Sequence, residues 1–395
     1  MTRVIVSDVR PWGASAVDLV IEGDRIIEIR QIDRTAPTTG VIDGRAMLAL
    51  PGFINAHAHV DKSWWGQSWV SYGGEATVQG RIAHERAERD GHGIPSADSA
   101  FAVFREFLRH GTTATRTHVD VDNGIGLRAI EAVTEAAARL DGALEVEIVA
   151  FPQDGVLRRP GVLDLLDAAA KAGATSIGGI DPASIDRDPV AQLNGLFAIA
   201  EHRGVELDIH LHSGGELGAF EYELIIDRTL RAGLEGRVTI SHGFALGELV
   251  GTRQADMLDA LAEAGISWTT VSPPRTAPLP WRDMRDRGIS LGLGTDGIRD
   301  LWSPFGDGDV LGVALTFAKL HGLRSDDELA AAVRLATSDA ARFVHRALHD
   351  LAVGARADIV LLDAENVQDA LVRAPARQLV MAAGRVVVRD GELLF

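Results

Sequence analysis

The chain of 395 residues contains no cysteine. Disulfides, thiolate metal sites and cysteine nucleophiles are therefore excluded, and a transition-metal site must be built from His, Asp or Glu, a donor set that suits zinc or iron. Lysine is scarce too. Of 39 lysine and arginine residues only Lys62, Lys171 and Lys319 are lysines, which draws attention to Lys62 beside the motif described below. Positive charge is short overall: against 56 acidic residues the formal net charge is −17, so neither nucleic acid nor an anionic membrane is expected as a partner. No apolar run approaches a membrane span, and Met1–Val6 does not have the form of a signal peptide, so the expected location is cytoplasmic. No Gly-x-Gly-x-x-Gly turn follows any strand-like run, which counts against the open doubly wound sheet.

What is present is ordinary globular composition, 46% hydrophobic and 24% charged, in a length that suits one large domain with a small one. Residues 1–50 read as short strands, with a hairpin turn at Gly23-Asp24, and the C-terminal end repeats the style with turns at Gly384 and Asp390-Gly391. The middle alternates short β runs with amphipathic helical runs, for example "TTATRTHVDV" before "GLRAIEAVTEAAARL". Such alternation means βα units and a parallel sheet, and about eight units in roughly 300 residues fit a closed (β/α)8 barrel. The expected fold is thus α/β: a TIM-type barrel over 51–346, and a small β-sandwich composed of 1–50 with 347–395. The polar stretch 73–96 lies after the first barrel strand and is read either as a lid over the barrel mouth or as a solvated helix.

The chemistry-bearing residues fall where strands end, the face on which barrel active sites form. In "PGFINAHAHVDK", His57 and His59 are two apart on a strand and share one face. Two neutral imidazoles side by side can hold one divalent ion, whereas a lone histidine would more often be a buried structural one. His210 and His212 in "LDIHLHSGGE", His242 in "TISHGF" and Asp296 in "LGLGTDG" end later strands. Together they offer several imidazoles and a carboxylate around one open position for water. Asp296 could take a proton from that water and pass it to a leaving nitrogen, and His242 could orient it.

These residues resemble the signature of the amidohydrolase superfamily, over essentially the whole chain. "TRTHVDV", "EIVAFPQDG", "RVTISH" and "DLWSP" are similar to stretches of cytosine deaminases, and "HVDK" is similar to isopropylammelide amidohydrolases. The resemblance implies metal ligation by His57, His59, His210 and Asp296. It implies His242 as the group orienting the metal's water, and Gln153 as a hydrogen-bonding partner of the substrate ring. The lysine that bridges two metals in binuclear relatives has no counterpart in "TSIGGIDPAS", which implies one zinc or iron ion. Two positions depart from the cytosine-deaminase pattern: Ser213 stands where a proton-shuttling Glu is usual, and Gly297 where a second Asp follows the metal-binding one. His212 could replace the Glu, as could Glu216 if the "SGGE" loop folds back.

Around this core, His118, Lys62 and Trp302 are candidate substrate contacts, each weighed against a structural role: a satisfied buried histidine, a salt bridge, a seal over the barrel. Trp64, Trp65 and Trp69 are read similarly, and Asp61 is read as a partner of a ligand or a helix cap. The expected function is hydrolysis of a C–N bond in a small flat nitrogen heterocycle, by deamination first and ring opening second. A non-catalytic barrel is the reading from another class, and the intact ligand set speaks against it. The expected partners are a small-molecule substrate and a second copy of the chain.

Overall fold

The computed structural model describes residues 3–33 and 40–395; the remainder of the expected 1–50 segment lies outside it. Eight parallel strands form the barrel: Phe53–His59, Thr112–Asp120, Glu145–Phe151, Ser176–Ile180, Glu206–Leu211, Val238–His242, Ser267–Thr270 and Leu291–Leu293. Successive strands pair in register, and helices such as Ala97–Arg109, Pro189–Arg203 and Gly251–Glu263 make the crossovers that parallel strands require. The first strand is buried at every residue, as expected for a strand covered on both faces. Closure comes from the two residues Asp296–Gly297, which pair parallel with Ala58 and His59. Asp296 is therefore set directly beside the His-x-His motif by the last seam of the barrel. Gly294 lets the chain pass there, since a Cβ at 294 would lie 2.3 Å from the His57 carbonyl oxygen.

Strands from both chain ends form one eight-stranded sheet, in which Val41–Pro51 lies between Arg3–Pro11 and Ile359–Leu362. The hairpin at Gly23-Asp24 joins Val17–Glu22 to Arg25–Arg30 as expected. A bridge between Arg25 and Arg356 folds the outer strand back on the middle of the sheet, giving the two layers of a sandwich around Val6, Leu19, Met47, Ile359 and Met381. Leu48, Leu50, Val360 and Val380 belong instead to the core cluster of the barrel. We propose the division at 50 and 347 on this pairing. Among the described residues no helix is long and apolar enough to cross a membrane.

The segment 73–96 forms the helix Val78–Glu88 and a turn Arg89–His92 over the barrel mouth. Ile82 packs with Phe151, Ile180 and Ile185, and Arg89 makes a buried two-pronged ion pair with Asp122. Glu85 is buried and accepts the Trp302 indole N–H. A solvated helix would show none of these contacts.

Candidate metal centre and substrate cavity

The structure gathers His57, His59, His210, His242 and Asp296 at the C-terminal ends of three strands and the closing seam. His59 Nε2 lies 3.4 Å from Asp296 Oδ1 and 3.3 Å from His210 Nε2, and His57 Nε2 lies 3.7 Å from Asp296 Oδ1. Two donors at about 2.1 Å from one tetrahedral ion stand about 3.4 Å apart, so these spacings fit one ion. His57 Nε2 is buried with no hydrogen-bond partner, a costly state unless a ligand answers it. Its other nitrogen explains the tautomer. Ser241 Oγ donates to Asp208 Oδ1 at 2.6 Å, and so accepts from His57 Nδ1 at 3.0 Å, leaving the Nε2 lone pair free. Burial, together with neighbouring positive groups, holds His59, His210 and His242 well below the usual histidine pKa, the uncharged state that ligation needs.

Burial opposes ionisation of Asp296, but the surrounding His57, His242 and His59 rings outweigh it and hold its pKa below the usual carboxylate range. His242 and Asp296 both hold left-handed backbones, φ 67° and 61°. Such strain costs about 1–3 kcal/mol per residue and persists where the surroundings over-determine it, often at functional sites.

His118 is also near: its ring nitrogens lie close enough to those of His57, His59 and His210 to make a four-histidine group. Its Nε2 instead faces Asp208 Oδ1 at 3.2 Å, and burial lowers its pKa to about 4. The ring is wholly buried and does not border the cavity, so the structure does not bring it to a substrate.

Above the histidines opens a cavity of about 370 Å³, bordered by His59, His210, His212, His242, Asp296, Lys62, Gln153, Asp300 and Trp302. Of the tryptophans singled out in the sequence, only Trp302 lines it; Trp64 is buried and Trp69 is exposed. Lys62 Nζ donates to Asp120 Oδ1 and Gln153 Oε1, each at 2.8 Å. Burial disfavours its charge, but Asp120, Glu85 and Asp61 raise its pKa overall. Lys62 thus makes the buried salt bridge that was one of its two sequence readings, and it also borders the cavity.

Of the two shuttle candidates, only one reaches the cavity. Glu216 does not fold back: the helix Gly215–Ala232 begins there and turns it outward to Arg253 at 3.2 Å. His212 borders the cavity, its ring stacked 4.6 Å from that of His242. Asp181 grips it, accepting from His212 N at 2.6 Å and lying 2.9 Å from Nδ1. Burial works against a charged His212 ring, but the Asp181 hydrogen bond prevails and raises its pKa. Asp181 directly follows the fourth strand, so the strand-end rule that marked the histidines could have marked it.

A profile of the amidohydrolase family matches residues 96–395. The chain belongs to the amidohydrolase family. It is 30% identical to the N-isopropylammelide isopropyl amidohydrolase of Pseudomonas sp. (strain ADP), over 95% of this chain and 94% of that protein. The N-isopropylammelide isopropylaminohydrolase of Burkholderia multivorans ATCC 17616 superposes with a TM-score of 0.95 at 40% identity, covering 100% of both chains. The 5-methylcytosine deaminase of Klebsiella pneumoniae shares the fold, with a TM-score of 0.84 at 22% identity over 100% of this chain and 99% of that one. This amidohydrolase is accordingly a metal-dependent hydrolase of C–N bonds, and its relatives are deaminases and amidohydrolases of heterocycles.

Proposed function

We propose that this amidohydrolase removes an exocyclic amino or alkylamino group from a small, flat nitrogen heterocycle. The observation that carries the reading is the His212–Asp181 pair, which reaches the cavity beside His242 and Asp296. We assign His57, His59, His210 and Asp296 as ligands of one ion, zinc or iron. When bound, such an ion brings the pKa of a coordinated water from near 16 to roughly 7. Asp296 receives the proton of the attacking water, and His242 holds that water by a hydrogen bond. His212, kept protonated by Asp181, delivers a proton to the ring nitrogen, which is the work of the Glu that Ser213 replaces. Asp296 then passes its proton to the departing amine, and as the ring carbonyl forms the remaining hydroxyl proton returns to His212, so both groups are restored. Lys62 and Gln153 hold the ring edge, and Trp302 packs against its face. The 40% identity with an isopropylaminohydrolase supports loss of an exocyclic amine over ring opening.

The test is a mass-spectrometric screen of metal-loaded protein against aminopyrimidines, alkylaminotriazines, pterins, cyclic amides and hydantoins. Exchange of an amino group for oxygen is the expected result. Addition of a whole water to the ring would replace this reading with ring opening.

A further inference from the structure

Asp300 carries no role in the function proposed above, yet its carboxylate faces the cavity in a fixed orientation. It is buried in the loop after Asp296–Gly297, and Oδ1 accepts the backbone N–H groups of Trp302 and Ser303, both at 2.8 Å. The loop is itself anchored: Asp300 N donates to the Ser303 carbonyl at 3.0 Å, and Ser63 Oγ donates to the Ile298 carbonyl at 2.6 Å. Among the described residues Oδ2 has no hydrogen-bond partner, and Asp300 borders the cavity. Burial pushes its pKa up to about 6 against the pull of Lys62, so at neutral pH it is mostly an acceptor.

Gly297 is the second observation. Its backbone lies outside the left-handed region, so conformation does not require glycine there. Space does: a Cβ on residue 297 would stand 1.7 Å from Asp300 Oδ2. The position beside Asp296 has no side chain because the Asp300 carboxylate fills its place. On another wall Lys62, a donor only, occupies Gln153 Oε1 and leaves the Gln153 amide N–H2 to the cavity.

We propose that Asp300 is a specificity-determining residue that accepts a hydrogen bond from an N–H on the edge of the bound heterocycle. This rests on the reading of the cavity as a heterocycle site. The ligand class is then a ring with a carbonyl or bare nitrogen toward Gln153 and an N–H toward Asp300. Asp300→Asn inverts the polarity. Its amide oxygen must stay on the two backbone N–H groups, so its N–H2 turns to the cavity and opposes the substrate donor.

The experiment is calorimetric titration of metal-loaded protein with uracil and with 1,3-dimethyluracil, in wild type, Asp300→Asn and Gly297→Ala. Wild type is expected to favour uracil by about ten- to hundredfold, the size of one hydrogen bond to a charged group. Both variants are expected to lose that preference while keeping their metal. Gly297→Ala displaces the carboxylate by contact and leaves residue 300 an aspartate, so it gives the answer even if Asp300→Asn fails to fold. An unchanged preference in the folded variants overturns the role of Asp300 and leaves the heterocycle site standing. Equal affinity of wild type for both rings also overturns the role of Asp300 alone. Failure of wild type to bind either ring overturns both readings.

Discussion

Two buried polar clusters lie side by side at the barrel mouth, and they differ in where their partners come from. Around Lys62 the charges answer one another inside the protein: the ammonium meets Asp120 and Gln153 at 2.8 Å and Glu85 at 3.6 Å, Asp61 Oδ2 accepts the Asp120 N–H, and Glu85 takes the Trp302 indole. Around His57 the rings face one another with nitrogens left over, His57 Nε2 above all. The clusters join at His59 and Asp61, which have donor atoms within 4.8 Å of each other, and among the described residues His59 Nδ1 and Asp61 Oδ1 have no hydrogen-bond partner. The orphaned nitrogens distinguish the two clusters: one fastens the helix Val78–Glu88 to the barrel, and the other presents a donor set that would hold an ion.

The comparison breaks most visibly under loss of metal. Chelation, or His57→Ala or His210→Ala, is expected to reduce turnover to background. Removing an ion present at a hundredfold over its dissociation constant also removes about 2.7 kcal/mol of stability, readable as a lower melting temperature. Lys62→Met should act in the opposite sense. It leaves Asp120 and Glu85 buried without their cation, at a cost of about 3–5 kcal/mol in urea unfolding, with metal content unchanged. Ser241→Ala sharpens the picture of the histidine cluster. It removes the group that sets the His57 tautomer, and metal affinity should fall about ten- to hundredfold in a competitive chelator titration.

The smallest effect expected is a shift in pH dependence. On the proposed path His212 is a protonated donor whose pKa Asp181 raises, so activity is expected to fall as pH climbs through that raised value. Asp181→Asn withdraws the raising charge, and the fall should begin at lower pH. A profile that does not move in this variant would remove His212 from the proton path.

Much of this was legible in the sequence because period and position carried it. His57 and His59 are two apart on a strand, and His210, His242 and Asp296 sit at strand ends, where a barrel points side chains at its mouth. The end strands announced themselves by their glycine turns. Other residues lacked such a signal. Asp208 shares the strand face of His210, two residues earlier, but a carboxylate beneath a site looks the same in sequence as one in a core ion pair. Asp300 is legible only once Gly297 is seen to have no room. Glu216 stayed open beside His212 because the sequence does not say that the helix begins at Gly215, and His118 stayed open between substrate and core because burial depth is not a property of the strand pattern.

Metal analysis of purified protein tests the central claim most directly. After reconstitution with zinc or ferrous iron and desalting, the account predicts one ion per chain in wild type and in Lys62→Met, and essentially none in His59→Ala. Two ions per chain, or full metal content in His59→Ala, would contradict it.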